Sequence, residues 1–77
     1  MPKYFFNTDV GAVRLIDEEG CDLDGEQAAL RLAANDFGQI LRDFPRGITP
    51  GVVVRMDICD EVGTPIFEAA FSIKSLK

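Results

Sequence analysis

Residues 24–44 read DGEQAALRLAANDFGQILRDF, and this stretch decides the fold. Its apolar residues recur with the helical period and cover an arc of about 120° at 100° per residue, which is one core-facing stripe. The stripe consists of Ala29, Leu30, Ala33, Phe37, Ile40, Leu41 and Phe44. The pattern therefore predicts an amphipathic helix over about residues 25–44.

Both ends of this helix carry sequence signals. Asp24 is the predicted N-cap, because its carboxylate can accept hydrogen bonds from the free N–H groups of the first turn. Gln27 stands at the third helical position, as in a capping box. Pro45 predicts the end of the helix, since the residue before a proline is driven out of the α region.

The residues after the helix predict a β-hairpin. Residues 52–59 and 64–73 alternate apolar and polar side chains with a period of two, which indicates two strands. Asp60 starts the turn between them, and Gly63 supplies the left-handed position that such a turn needs. The two strands and their turn form the C-terminal half of the sheet.

The residues before the helix predict a second hairpin, with strands at about 3–8 and 12–16. Its expected inward-facing side chains are Tyr4, Phe6, Val13 and Leu15. A further turn follows, started by Asp17 and closed by Gly20, and leads the chain to the helix.

The order of elements is strand, strand, helix, strand, strand. We therefore expect one domain over residues 1–77 of the α+β class, with a two-layer ββαββ architecture. One amphipathic helix packs on one face of a four-stranded sheet that is antiparallel or mixed. The order of the strands within the sheet stays open at this point.

Charge and length exclude several classes of protein. The chain has 77 residues, a net charge of −5 and only eight basic residues, which are scattered. Phosphate binding needs basic density, so we expect no direct nucleic-acid binding and no binding to anionic membranes. No apolar stretch is long enough to span a membrane, and residues 1–3 lead straight into strand-like sequence. We therefore expect a cytoplasmic protein.

The chemistry-bearing residue types are sparse. The chain has no histidine and two cysteines, Cys21 and Cys59. Histidine is the commonest general base and a frequent metal ligand, and two cysteines alone cannot complete a tetrahedral zinc site. Without a secretion signal both cysteines are expected to be free thiols. The sequence thus predicts a protein that is not an enzyme, with no catalytic residue, no metal and no cofactor.

The acidic segment 17–26 supports an alternative function. Its clustered carboxylates are oxygen ligands of the kind that calcium and magnesium prefer. Their spacing does not match the calcium loop of helix–loop–helix proteins, and turn and cap roles already explain Asp17 and Asp24. A sensor of a small molecule or a divalent metal is therefore the second hypothesis.

The leading hypothesis is a non-enzymatic protein-interaction or regulatory module that acts through the open face or an edge of the sheet. One helix covers only one face, so the other meets water or a partner. Apolar side chains flanked by opposite charges are expected there: Phe5, Arg14, Val53, Arg55, Ile66, Glu68 and Ala70. Because a small core gains from association, we expect a homodimer. An unidentified protein partner is a further expectation.

Three motifs together resemble a known family. Residues 1–6 read MPKYFF, residues 17–20 read DEEG, and residues 60–63 read DEVG. In this order, with an alanine-rich helix between the two turns, they resemble the short bacterial proteins of domain of unknown function 6894. The first turn, residues 9–11, and the loop at 45–51 depart from the family pattern. The resemblance covers nearly the whole chain and implies no activity, ligand or catalytic residue.

Overall fold

The computed structural model describes residues 1–43, 46 and 48–77, and shows an open antiparallel sheet with one helix on one face. The strands are β1 (Lys3–Val10), β2 (Val13–Leu15), β3 (Cys21–Asp22), β4 (Val53–Cys59) and β5 (Pro65–Ser72), and the helix α1 spans Glu26–Asp43. The predicted α+β class is confirmed, and the observed ends of β1, β2, β4 and β5 and the start of α1 lie within two residues of the predicted positions. The predicted roles of Phe44 and Pro45 at the end of the helix lie outside the described residues.

The strands follow the order β2-β1-β4-β5, with β1 and β4 in the centre. Every pairing is antiparallel, so the mixed alternative is wrong. The short strand β3 also pairs with β1 and makes the sheet five-stranded rather than four-stranded. Two residues are too few to show a period of two, which is why the sequence pattern does not reveal β3.

The core lies between α1 and the centre of the sheet. Tyr4, Met56 and Ile58 are buried on the helix-side face, where they pack against Ala29 and Ala33. The two alanines are almost inaccessible because their small side chains let the helix approach the sheet closely. Burial of side chains as large as those of Met56 and Ile58 contributes about 1.5–3 kcal/mol each.

Three residues expected in the core are exposed, namely Leu30, Val13 and Leu15. Leu30 lies about 80° around the helix, at 100° per residue, from the midpoint between the two buried alanines, Ala29 and Ala33. Val13 and Leu15 do share the helix-side face with Tyr4, but α1 packs over β4 and β5 and does not cover β2. Val13 and Leu15 therefore point to the predicted side of the sheet, but the prediction that they are buried is wrong.

The N-cap of the helix is Gly25 rather than Asp24. The first helical bond runs from the Ala29 N–H to the Gly25 carbonyl oxygen, at 3.2 Å between N and O. Gly25 has a φ of +110°, which a residue with a Cβ rarely adopts. A glycine at this position explains why the helix begins at Glu26.

A register shift between β4 and β5, near the end of β4, changes the side of the sheet to which a β5 side chain points. Ile58 pairs with Phe67, whereas Cys59 pairs with Pro65, so Ile66 is an extra residue between them. In such a β-bulge two successive side chains can lie on the same side of the sheet. Both Ile66 and Phe67 pack against the core cluster. The expected position of Ile66 on the outer face is therefore wrong.

Substitution of Gly20 is expected to destabilise the fold. Gly20 has a φ of +74°, and a Cβ there would lie 2.8 Å from the Lys3 Cγ and 2.9 Å from the Phe5 Cε2. We predict that Gly20→Ala lowers the free energy of unfolding in urea by about 2–4 kcal/mol, from backbone strain plus overpacking.

Gly63→Ala is the matched control, because Gly63 also has a positive φ, +86°, but nothing lies within 4 Å of a Cβ at that position. It should cost only the backbone strain of about 1–2 kcal/mol. Equal losses for the two variants would contradict the predicted overpacking at Gly20.

Candidate functional site

The segment between β2 and β3 is attached to β1 by a side chain instead of a strand ladder. Continuing the β1–β2 register would place Asp17 opposite Phe6. The Phe6 N–H donates to the Asp17 Oδ2 at 3.1 Å, while the N–H groups of Gly20 and Glu19 donate to its Oδ1 at 3.0 and 3.2 Å. The Asp17 N–H in turn donates to the Asn7 Oδ1 at 3.0 Å. Asp17 therefore closes the turn, as predicted, and also joins it to the sheet.

These hydrogen bonds change the acidity of Asp17. Burial alone would raise the pKa of its carboxyl group, but the N–H donors of Gly20, Phe6 and Glu19 outweigh burial and hold the pKa below its ordinary value. The charged form is thus the one that the turn stabilises.

A polar network occupies the centre of the outer face. Arg14 on β2 donates from Nη1 to both carboxylate oxygens of Asp9, at 2.9 and 3.0 Å, and from Nη2 to the Asp57 Oδ1 at 3.3 Å. Asn7 Nδ2 donates to the Asp57 Oδ2 at 3.1 Å. The Cys59 Sγ donates to the same oxygen at 3.4 Å. The network links three neighbouring strands through their own side chains.

The network explains the acidity of Asp57 and Cys59. Burial would raise the pKa of Asp57, but hydrogen bonds from Asn7 and Cys59 and the charge of Arg14 hold it below its ordinary value. Burial raises the pKa of the Cys59 thiol, and its hydrogen bond to Asp57 and the charge of Asp60 raise it further. A thiol of this kind is a poor nucleophile.

The predicted interface residues are mostly on the outer face but do not form one apolar patch. The registers place these members opposite the helix: Phe5, Arg14, Val53, Arg55, Glu68 and Ala70. The polar network separates Phe5 at one end from Val53 at the other. Asn7 and Asp9 were missing from the predicted set, although their odd positions in β1 put them on the same face as Phe5.

A cleft of about 320 Å³ opens on this face, beside the end of β4. It lies between the segment 16–20 and the β4–β5 turn. The residues that line it are Phe5, Asn7, Ile16, Asp17, Cys59, Asp60, Glu61 and Gly63. The cleft combines an apolar wall with carboxylates and includes the predicted turn residues Asp17, Asp60 and Gly63.

Gly20, Asp60 and Gly63, for which turn roles are predicted, lie in the two turns that border the sheet. Gly20 and Gly63 have φ values of +74° and +86°. Asp60 Oδ1 accepts hydrogen bonds from the N–H groups of Val62 and Thr64, at 3.1 and 2.9 Å. These bonds hold the Asp60 carboxylate and the backbone of the β4–β5 turn in place at the rim of the cleft.

The acidic segment 17–26 does not assemble into a metal site in the part of the chain that the structure describes. No three side chains of the metal-binding types come together there. Cys21 and Cys59 are both free thiols, Cys21 exposed and Cys59 partly buried. Over the same residues, no helix is long and apolar enough to cross a membrane.

The fold and these sites define a small two-layer α+β domain whose polar side chains serve turns and a cross-strand network. A family model described as "Domain of unknown function (DUF6894)" matches residues 3–72. The chain therefore belongs to the DUF6894 family, as its motifs indicated. Neither the comparison with curated proteins nor that with solved structures finds a match.

Loss of the Asp17 charge is expected to destabilise the domain in a pH-dependent way. In Asp17→Asn a single amide oxygen replaces two acceptors, so at least one N–H loses its partner. We predict a loss of about 1–3 kcal/mol in the free energy of unfolding near neutral pH. Because the pKa of Asp17 is lowered by folding, its contribution is present above about pH 4 and disappears as the pH falls through the lower, folded-state value.

Urea unfolding of the wild type and Asp17→Asn at neutral and acidic pH measures this difference. Glu18→Gln, at an exposed neighbour in the same turn, is the control and should have little effect. A destabilisation by Asp17→Asn that is equally large at low pH would contradict the role of the carboxylate charge.

Proposed function

We propose that this domain is a non-enzymatic protein-interaction module that binds a partner strand along the edge of β2. The observation that carries the proposal is the exposure of Val13 and Leu15, which are 59% and 54% accessible on the helix-side face. They lie on the last strand of the sheet order, so in the described part of the chain one edge of β2 has no neighbouring strand. Exposed strand edges accept a further strand through backbone hydrogen bonds.

The position of α1 supports this proposal. The helix packs over β4 and β5, at the other side of the sheet, and leaves the helix-side face of β2 open. A partner strand beside β2 would extend the sheet and bring its own apolar side chains next to Val13 and Leu15. Burial of these two side chains is the gain that association would bring.

The charged residue of β2 does not oppose pairing. Strand edges are often protected by an outward lysine or by a proline. Arg14 instead points to the opposite face, where Asp9 and Asp57 hold its guanidinium. Since β2 is three residues long, its backbone offers few hydrogen bonds, and contacts of Val13 and Leu15 must supply much of the affinity.

The partner that we propose is a second copy of this chain. An antiparallel pairing of two β2 strands about a two-fold axis at Arg14 would place Val13 of each copy opposite Leu15 of the other. Such a contact is self-complementary, as the interface of a symmetric dimer must be. It also adds buried apolar surface to a domain whose own core is small.

The oligomeric state of Leu15→Lys tests the proposal. We predict that the wild-type protein is a dimer at tens of micromolar by multi-angle light scattering, and that Leu15→Lys is a folded monomer. Leu15 is exposed in the single chain, so the substitution should alter the stability of the monomer itself by no more than about 0.5 kcal/mol.

Val62→Lys is the matched control. Val62 is 84% exposed on the β4–β5 turn, away from β2, and its replacement should leave a dimer. A monomeric wild type at these concentrations, or a Leu15→Lys variant that remains dimeric, would overturn the proposed interface.

A further inference from the structure

The cleft on the outer face is a second surface, independent of the pairing at β2. It opens on the face opposite the one that Val13 and Leu15 share. Phe5 and Ile16 give it an apolar wall, and Asp60 and Glu61 line its rim. Its volume of about 320 Å³ is at the lower end of the range for ligand-binding pockets.

Both carboxylates at the rim accept hydrogen bonds from backbone N–H groups of the chain itself. Asp60 Oδ1 accepts from the N–H groups of Val62 and Thr64, and Glu61 Oε1 accepts from the Lys3 N–H at 2.9 Å. Within the described residues, the second oxygens, Asp60 Oδ2 and Glu61 Oε2, accept no hydrogen bond. Asp60, which two backbone N–H groups orient, loses less conformational entropy on binding a donor than an unrestrained carboxylate would.

Among the described residues, no lysine or arginine lines the cleft beside these carboxylates. The lining includes the acidic Asp17, Asp60 and Glu61. Arg14, on the same face, is paired with other carboxylates. Lys3 forms no ion pair in the described part of the chain, and its side chain lies against Gly20. The cleft is therefore a negative, partly apolar surface on a chain of net charge −5.

We propose that this cleft binds a basic side chain, arginine in preference to lysine, from a segment of a partner protein. A guanidinium group is planar and weakly hydrated, so it can lie against the ring of Phe5 while it donates to the free oxygens of Asp60 and Glu61. The methylene stem of the same side chain fits against Ile16. Lysine offers a single, more strongly hydrated charge and uses less of the cleft.

The test is an NMR titration of the ¹⁵N-labelled protein with a capped glycine peptide that contains one central arginine. The amide signals of the cleft, those of Ile16, Asp60 and Glu61 among them, should shift and saturate. The same peptide with citrulline, which keeps the shape and loses the charge, should give much smaller shifts. The lysine peptide should bind more weakly than the arginine peptide.

Glu61→Gln should weaken binding about two- to fivefold, since it removes the rim charge and keeps an oxygen for the Lys3 N–H. Glu68→Gln is the matched control: it removes the same charge from an exposed site of β5 outside the cleft and should leave binding unchanged. The amide spectra show that both variants are folded.

Several results would overturn the proposal. They are the absence of saturable shifts at millimolar peptide, equal binding of the citrulline peptide, or equal weakening by Glu68→Gln, which would indicate only attraction by the net charge. Binding of spermidine without binding of the arginine peptide would point to a small organic cation instead of a protein segment.

Discussion

The structure depends most on one interaction, the hydrogen bonds that the Asp17 carboxylate accepts where the chain between β2 and β3 runs beside β1. β1 pairs with β2 and with β3, but between those two strands the backbone hydrogen bonds along this side of β1 are interrupted. There the Asp17 carboxylate accepts hydrogen bonds from the N–H groups of Phe6, Glu19 and Gly20. The bonds from Phe6 and Gly20 are partly buried, and an N–H that loses its acceptor at such a site costs up to about the free energy of a hydrogen bond, so the side chain stabilises this edge. Gly20 completes the turn with a left-handed backbone that lies close to β1.

Both proposed binding surfaces follow from this attachment and from the position of the helix. The turn fixed by Asp17 forms one wall of the cleft, and it carries Ile16 to the outer face. The chain before the turn is β2, which lies beyond the reach of α1 because the helix packs over β4 and β5. The apolar surface left open is therefore at the edge of the helix-side face. The centre of the outer face is instead occupied by the polar network around Arg14 and Asp57.

The class, the order of elements and the turn residues could be predicted, because helical and strand periods and glycine or aspartate turn signals are local properties of the chain. Which strands the helix covers is not local. Val13 and Leu15 alternate along β2 so that both point to the face on which the core lies. They are exposed because α1 packs over β4 and β5 and does not extend over β2. Ile66 shows the same limit, since one extra residue in β5 turns it to the core. The cleft depends on residues from three separate segments of the chain, so no single sequence motif marks it.

Amide hydrogen exchange in the wild type and in Asp17→Asn tests most directly whether the carboxylate replaces the missing ladder. The account predicts that protection falls most at the N–H groups of Phe6, Glu19 and Gly20, while the amides that join β1 to β4 lose no more than the drop in the free energy of global unfolding explains. Unchanged exchange at the Phe6 N–H would contradict it. A uniform loss of protection through the whole sheet would contradict it as well, because the role assigned to Asp17 is confined to one edge.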